Sequence, residues 1–255
     1  TAQPWAIASD YNSVPATQNL QKTHKELQTI AYLIIKNDSI WHESYFDGFD
    51  KNSKTNSFSM AKSVVTMAMG KAIMEGKMKS LDQKVTDFFP ELKGKYAKEV
   101  TIGDLSSMAS GLSWDEKYYS PFSIVTRAYF DDNLNDVILG LDIKEKPGQS
   151  FKYLSGATQL LAMCIEKATG EYLSDYVSKH FWQPMGAENE ALWQLDEAPD
   201  GIEKAYCCIA SNARDFARFG KLYLNDGKWN GKQLLDSTFV RKCITPRFEK
   251  SPEYG

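Results

Sequence analysis

This 255-residue sequence is short of the residues and spacings that announce metal or redox chemistry. It has three histidines, His24, His42 and His180, far apart and never in an H-E-x-x-H arrangement. A zinc-protease helix is therefore excluded, and each histidine reads as a surface or half-buried side chain. Four cysteines include no C-x-x-C, which removes zinc-ribbon and thioredoxin-like readings. No stretch approaches the roughly 20 apolar residues of a membrane span. Lys and Arg number 30 against 33 Asp and Glu, so no positive excess supports nucleic acid as a partner. There is no G-x-S-x-G, which argues against a nucleophile elbow of the α/β-hydrolase kind. The opening "TAQPWAIASDYNSVP" has neither a basic start nor an apolar core, fitting a cytoplasmic chain or the processed form of an exported one.

What is present is ordinary globular material, with 42% apolar and 25% charged residues and no repeat or low-complexity linker. "TIAYLIIKNDSIWHESYFDGFD" reads as two strands joined by a turn at Lys36-Asn37-Asp38-Ser39. From Ser59 to about Met78 the pattern is helical, and short helical pieces alternate with turns up to position 116. Further helices are expected at Asn133–Leu141, Ser155–Thr169, Tyr172–Phe181, Asn212–Leu224 and Ser237–Lys242. A strand pair followed by a mostly helical block predicts an α+β fold rather than a βαβ repeat. Cys164 lies in the helical "LLAMCIEKA" and reads as a small buried hydrophobe, while Cys207 and Cys208 are adjacent and Cys243 stands alone.

The segment "NSFSMAKSVVTMAMGKAIMEGKM" carries the chemistry. Its Ser59 and Lys62 form the one S-x-x-K in the chain, at the head of a helix apolar nearly all round. Lys62 shares its stripe with Val65, Met69 and Ile73. Burial there disfavours a charged ammonium, so the amine can accept a proton from the Ser59 hydroxyl one turn away. The plain alternative is a first-turn serine and a lysine that snorkels to solvent. A second element lies in "PGQSFKYLSGATQLLAMCIEKATG". There Tyr153 precedes by two residues a helix whose N-cap is read as Ser155, a rigid junction from which a phenol could pass a proton. Its plain alternative is an aromatic plug between helices. Tyr223-Leu224-Asn225 looks similar, but Phe216, Phe219 and Tyr223 form a core stripe, and it reads as structural.

"SFSMAKS" and "YLS", in order with "SLDQKVTDFFPEL", "TIGDLSSMASGLSW" and "ASNARDFARFGKLYLNDGKW", resemble the serine β-lactamase and penicillin-binding protein superfamily, in particular its class C-like branch of esterases, peptidases and amide hydrolases such as nylon-oligomer hydrolase. The resemblance spans about residues 28 to 245. It implies an antiparallel sheet flanked by helices plus a mostly helical domain, divided here as residues 1–58, 59–244 and a return toward the sheet over 245–255. It also implies an acyl-enzyme: Ser59 attacks a carbonyl, Lys62 and Tyr153 handle the proton, and the Ser59 backbone N–H donates to the oxyanion. No cofactor is implied, the partner is a small ester or amide, and the location is periplasmic or secreted, with cytoplasm open. Two departures stand out. Ser155 replaces the asparagine of Y-x-N, which in relatives contacts the substrate's amide side chain, so a β-lactam specificity does not carry over. No K-T-G or H-x-G third motif and no S-D-N triplet occurs. The resemblance places that third motif, the second oxyanion donor and the remaining strands beyond position 255, on the order of 100 further residues.

Two rivals remain at this level. One is a binding or sensor module on the same fold, acylated at Ser59 without turnover. The other is a helical structural protein in which Ser59, Lys62 and Tyr153 never meet.

Overall fold

The computed structural model describes residues 1–197, 199–252 and 254. The first strand, β1 (Ala6–Ile7), and the helix α1 (Gln18–Glu26) precede the hairpin of β2 (Ala31–Lys36) and β3 (Ser39–Tyr45). That hairpin is the expected strand pair, and Asn37 and Asp38 turn it with φ of 49° and 61°. Both central residues are left-handed, as a two-residue turn matched to strand twist requires. The pair is not alone, since β1 joins β3 in parallel to give the order β1-β3-β2. Helix α1 carried no apolar stripe to announce it. Its only buried residue is His24, which packs on Tyr32 and Phe46.

The chain then runs through β4 (Thr55–Asn56) and one 3-10 turn, Phe58–Met60, into α2 (Ala61–Met74). The short helices α3 (Ile102–Ser106), α4 (Ile124–Phe130) and α5 (Leu134–Leu139) follow, then α6 (Ser155–Thr169). The next, α7 (Leu173–Val177), continues as a π turn over Ser178–Trp182, so the single helix expected at Tyr172–Phe181 is two pieces. Strands β5 (Leu192–Trp193) and β6 (Ile209–Ser211) flank a long loop and form a second small sheet, ordered β4-β6-β5. Helix α8 (Ala213–Leu224), the β7 (Lys228–Trp229) and β8 (Lys232–Gln233) pair, and α9 (Ser237–Cys243) complete the described elements.

Helices α2 and α6 form the centre. Val65, Met67, Ala68 and Met69 of α2 and Leu160, Leu161, Cys164 and Ile165 of α6 are buried, each larger side chain stabilising the fold by about 1.5–3 kcal/mol relative to exposure. The all-round apolar pattern of α2 is accounted for by neighbours on every side. On one of them the ring of Phe239 from α9 lies 2.3 Å from where a Cβ on Gly70 would sit, so only glycine fits there. Polar contacts attach α8 to the N-terminal sheet. Trp5 Nε1 donates to the Arg214 carbonyl at 2.9 Å, the Arg214 guanidinium pairs with Glu43, and Lys221 pairs with Asp38. Inside α8, buried Asp215 accepts from Arg218, Asn212 and the backbone of Glu188 and Asn189, which holds its carboxyl below the usual carboxylate range against the opposing cost of burial. Near the end of the described residues Arg247 pairs with Asp104 of α3, and the Tyr254 ring packs on Phe151 and edge-on to Tyr153.

One further set of contacts fixes the loop that reaches the site. Gln159 of α6 donates to the Glu203 carbonyl at 2.9 Å and accepts from the Ala205 N–H at 2.8 Å. The Glu203 side chain accepts from the Ser174 N–H at 2.8 Å, beside Glu166, which accepts from the Leu173 N–H at 3.1 Å. Burial first, and then neighbouring Glu203, push the Glu166 carboxyl up to about 8. A carboxyl raised in this way favours folding most where both states keep the proton, and that advantage fades as pH rises from the ordinary carboxylate range through the raised value. Glu166→Gln removes the titration while keeping an acceptor and a donor. It is expected to stabilise the protein by about 1–3 kcal/mol near pH 8 and by much less near pH 5. Denaturant midpoints at the two pH values read the difference, and an equal effect at both would rule out a carboxyl that keeps its proton.

Candidate active site

The nucleophile segment is held before the helix starts. Ser57 N–H donates to the Ile209 carbonyl at 2.7 Å, and Ser57 Oγ accepts from Ile209 N–H at 3.2 Å, extending the β4–β6 pairing. Phe58 follows with φ of 45°, a left-handed backbone for an exposed aromatic residue, and its N–H is caught by Asn56 Oδ1 at 2.8 Å. Such a conformation costs on the order of 1 kcal/mol or more and persists where its surroundings impose it. It turns the chain so that Ser59 stands in the 3-10 turn, exposed, at the mouth of a cavity of about 730 Å³.

Lys62 is in the first turn of α2 and only 5% exposed. The snorkelling alternative does not describe it. Its Nζ lies 3.0 Å from Ser59 Oγ and donates to the Tyr206 carbonyl at 2.7 Å. The ring of Tyr153 stands over it, 5.1 Å from Nζ to the ring centre. Among the described residues no carboxylate pairs with this amine; a hydroxyl, a carbonyl and an aromatic face surround it. Tyr153 is half-buried and fixed on both sides by Met108, whose carbonyl accepts from Lys152 N–H at 2.7 Å and whose Sδ accepts from Leu154 N–H at 3.4 Å. Ser59, Lys62 and Tyr153 are therefore brought together at one wall of one cavity. Tyr223, the residue read as structural, lies farther along that cavity beside Cys243, and burial pushes its phenol well above the ordinary range.

Ser155 differs from the expectation. The helix begins at Ser155 itself, with Leu154 in the cap position, so the serine hydroxyl does not cap α6. Glu116 does so instead. Its carboxylate accepts from the Ser155 N–H and from Ser155 Oγ, the latter at 3.2 Å, and from Trp114 Nε1 at 2.9 Å. A carboxylate at a helix N-terminus meets both unpaired N–H groups and the positive end of the helix dipole. The Trp114 ring in turn lies 2.5 Å from where a Cβ on Gly156 would sit, so the glycine after Ser155 admits the indole. Tyr118 belongs to the same cluster. Burial and then its contact with Glu116 push its phenol up to about 12, so it stays protonated. Glu116, Tyr118 and the Tyr206 carbonyl carried no sign in the sequence. An acidic residue in a loop has no spacing to match, and a backbone acceptor has no residue type at all. Among the described residues no group of three or more His, Cys, Asp or Glu is placed to hold a metal ion, and no helix is long and apolar enough to cross a membrane.

The beta-lactamase family profile matches residues 17–252, nearly the whole chain. The chain belongs to the beta-lactamase family. It is 25% identical over 236 residues to a 6-aminohexanoate-dimer hydrolase of Paenarthrobacter ureafaciens, covering 89% of this chain and 59% of that protein. It is 28% identical over 192 residues to protein flp of Staphylococcus aureus (strain MW2), covering 70% of this chain and 37% of that one. The chain thus spans less than two thirds of the length of these relatives. Among solved structures it superposes with TM-score 0.82 and 25% identity on a "putative 6-aminohexanoate-dimer hydrolase from Bacillus anthracis", covering 95% of this chain and 68% of that one. The α+β architecture and the family resemblance stand on these matches.

Glu116 caps α6 from outside the helix and so fixes the junction at which Tyr153 stands. Glu116→Ala should lower stability by about 1–2 kcal/mol; denaturant midpoints read the loss, and an unchanged midpoint would rule out the cap.

Proposed function

We propose that the protein is a serine hydrolase of small carboxylic esters and amides, acting through an acyl-enzyme on Ser59. The observation that carries this reading is the buried Lys62 amine 3.0 Å from Ser59 Oγ, with no carboxylate paired to it among the described residues. In its neutral form Lys62 takes the Ser59 proton as Oγ attacks the substrate carbonyl, and the Tyr206 carbonyl accepts a hydrogen bond from the amine throughout. Tyr153, with its ring over the same amine, stands where it can hand a proton to the leaving group. The Ser59 N–H is the first oxyanion donor, at the positive end of α2. Water then attacks the acyl carbonyl, and the same pair takes its proton to release the acid and restore Ser59. That a relative is named as a 6-aminohexanoate-dimer hydrolase supports the hydrolase reading.

Esters and linear amides are favoured over β-lactams by the state of Ser155. Its hydroxyl, in the position of the substrate-contacting asparagine, is bonded to Glu116. A location outside the cytoplasm belongs to the same reading, and the Cys207–Cys208 disulfide supports it.

Steady-state kinetics test the proposal. Ser59→Ala should abolish turnover of a nitrophenyl ester, and Lys62→Ala should lower it by roughly 10²–10⁴-fold, the range of general acid–base contributions. Esters should be turned over faster than penicillins or cephalosporins. Wild-type turnover surviving Ser59→Ala would overturn the assignment; a single acylation burst with no steady state would make the protein a sensor.

A further inference from the structure

The loop that supplies the Tyr206 carbonyl continues directly into Cys207 and Cys208, which are joined in a disulfide. Two backbone anchors of the nucleophile segment lie on either side of this pair. On the N-terminal side the Tyr206 carbonyl accepts from Lys62 at 2.7 Å. On the C-terminal side the Ile209 carbonyl and N–H make the two hydrogen bonds to Ser57. Ser57, two residues before the nucleophile, and Lys62 are thus both tied to a four-residue stretch with the disulfide in its middle. Cys208 has φ of 77°, a left-handed backbone that a residue with a Cβ seldom adopts. Closure of the ring between adjacent residues restricts the dihedrals of both, so an open dithiol leaves Cys208 free to relax to a negative φ and to turn the peptides on either side. Around the disulfide itself the backbone is held by single hydrogen bonds: Cys207 N–H donates to the Lys204 carbonyl at 3.1 Å, Trp193 Nε1 donates to the Cys207 carbonyl at 3.0 Å, and Gln194 N–H donates to the Cys208 carbonyl at 3.1 Å, while the Tyr206 side chain is anchored in the core with its hydroxyl on the Ala128 carbonyl. Cys207 is half-buried and Cys208 is buried, so Cys207 is the side of the pair nearer solvent.

We propose that Cys207–Cys208 is a redox-responsive clamp on the active site, which holds Lys62 and Ser59 in the competent geometry when oxidised and loosens them when reduced. The step is thiol–disulfide exchange with a dithiol reductant: one reductant thiolate attacks a sulfur of the pair, the mixed disulfide is resolved by the second reductant thiol, and the reductant leaves as its own disulfide. Two electrons and two protons pass to the protein, giving two cysteine thiols. The cysteines touch neither substrate nor the reacting atoms; they act by positioning the Tyr206 carbonyl.

For its activity readout this proposal rests on the serine-hydrolase reading, so the experiment pairs activity with two measurements that need no turnover. Alkylation of the air-oxidised, denatured chain should label two thiols, Cys164 and Cys243, and all four cysteines after mild dithiol reduction. Native-state hydrogen exchange should quicken on reduction in the peptides containing Ser57–Lys62 and Tyr206–Ser211. Ester turnover should fall about tenfold in kcat, the scale of one hydrogen bond, and should return on reoxidation. Cys207→Ser should show the reduced-state rate with no response to reductant, and Cys243→Ser should keep the full response. Four thiols in the oxidised protein, or exchange and kcat unchanged by complete reduction, would overturn the clamp. The wild-type redox comparison decides the matter even if Cys207→Ser fails to fold. Exchange that responds to reduction in a protein with no hydrolytic turnover would sink the hydrolase reading and leave the clamp standing.

Discussion

The hydrogen bond from Lys62 to the Tyr206 carbonyl is the contact on which the site depends. An amine buried this deeply costs several kcal/mol in solvation unless polar groups meet it. A carboxylate would meet it most strongly and would also keep the proton on nitrogen. Among the described residues the amine instead meets a carbonyl, a hydroxyl and an aromatic face, which fix its position. The carbonyl is itself held from behind. Gln159 of α6 bonds the backbone of Glu203 and Ala205, and Glu203 reaches the start of α7. The buried polar groups of α6 thus transmit the rigidity of the core to one oxygen atom.

The same helix fixes the other partner. Tyr153 is placed by the start of α6, and that start is defined by Glu116 from a loop 39 residues earlier. The Ser155 hydroxyl and N–H both turn to Glu116, so the helix end is satisfied from outside.

How much of this could be read from sequence follows the range of each interaction. Ser59 and Lys62 are one helical turn apart, so periodicity alone placed them on one face, and the apolar residues around Lys62 announced its burial. The β2–β3 hairpin was legible because Asn37-Asp38 is a turn between two apolar runs. Helices α6 and α8 matched their expected spans closely for the same local reasons. What failed was either polar or distant. Helix α1 presents almost nothing to the core, α4 is a single short stretch with one buried residue, and β4, β5 and β6 are two or three residues long and exist only by pairing with one another, β4 with β6 across some 150 positions. The Tyr206 carbonyl lies 144 residues from Lys62 and is a backbone atom, invisible to any reading of residue types. Ser155 was misread as the cap because serine is common there, and the true cap came from a loop.

The most direct measurement is the rate at which a fluorophosphonate labels the protein, with the adduct located by peptide mass. If Lys62 activates Ser59, the label maps to the peptide holding Ser59, and Lys62→Ala slows labelling by roughly 10²-fold or more while a distant control such as Lys79→Ala does not. Labelling at another residue, or a rate at Ser59 indifferent to the loss of Lys62, would contradict the account.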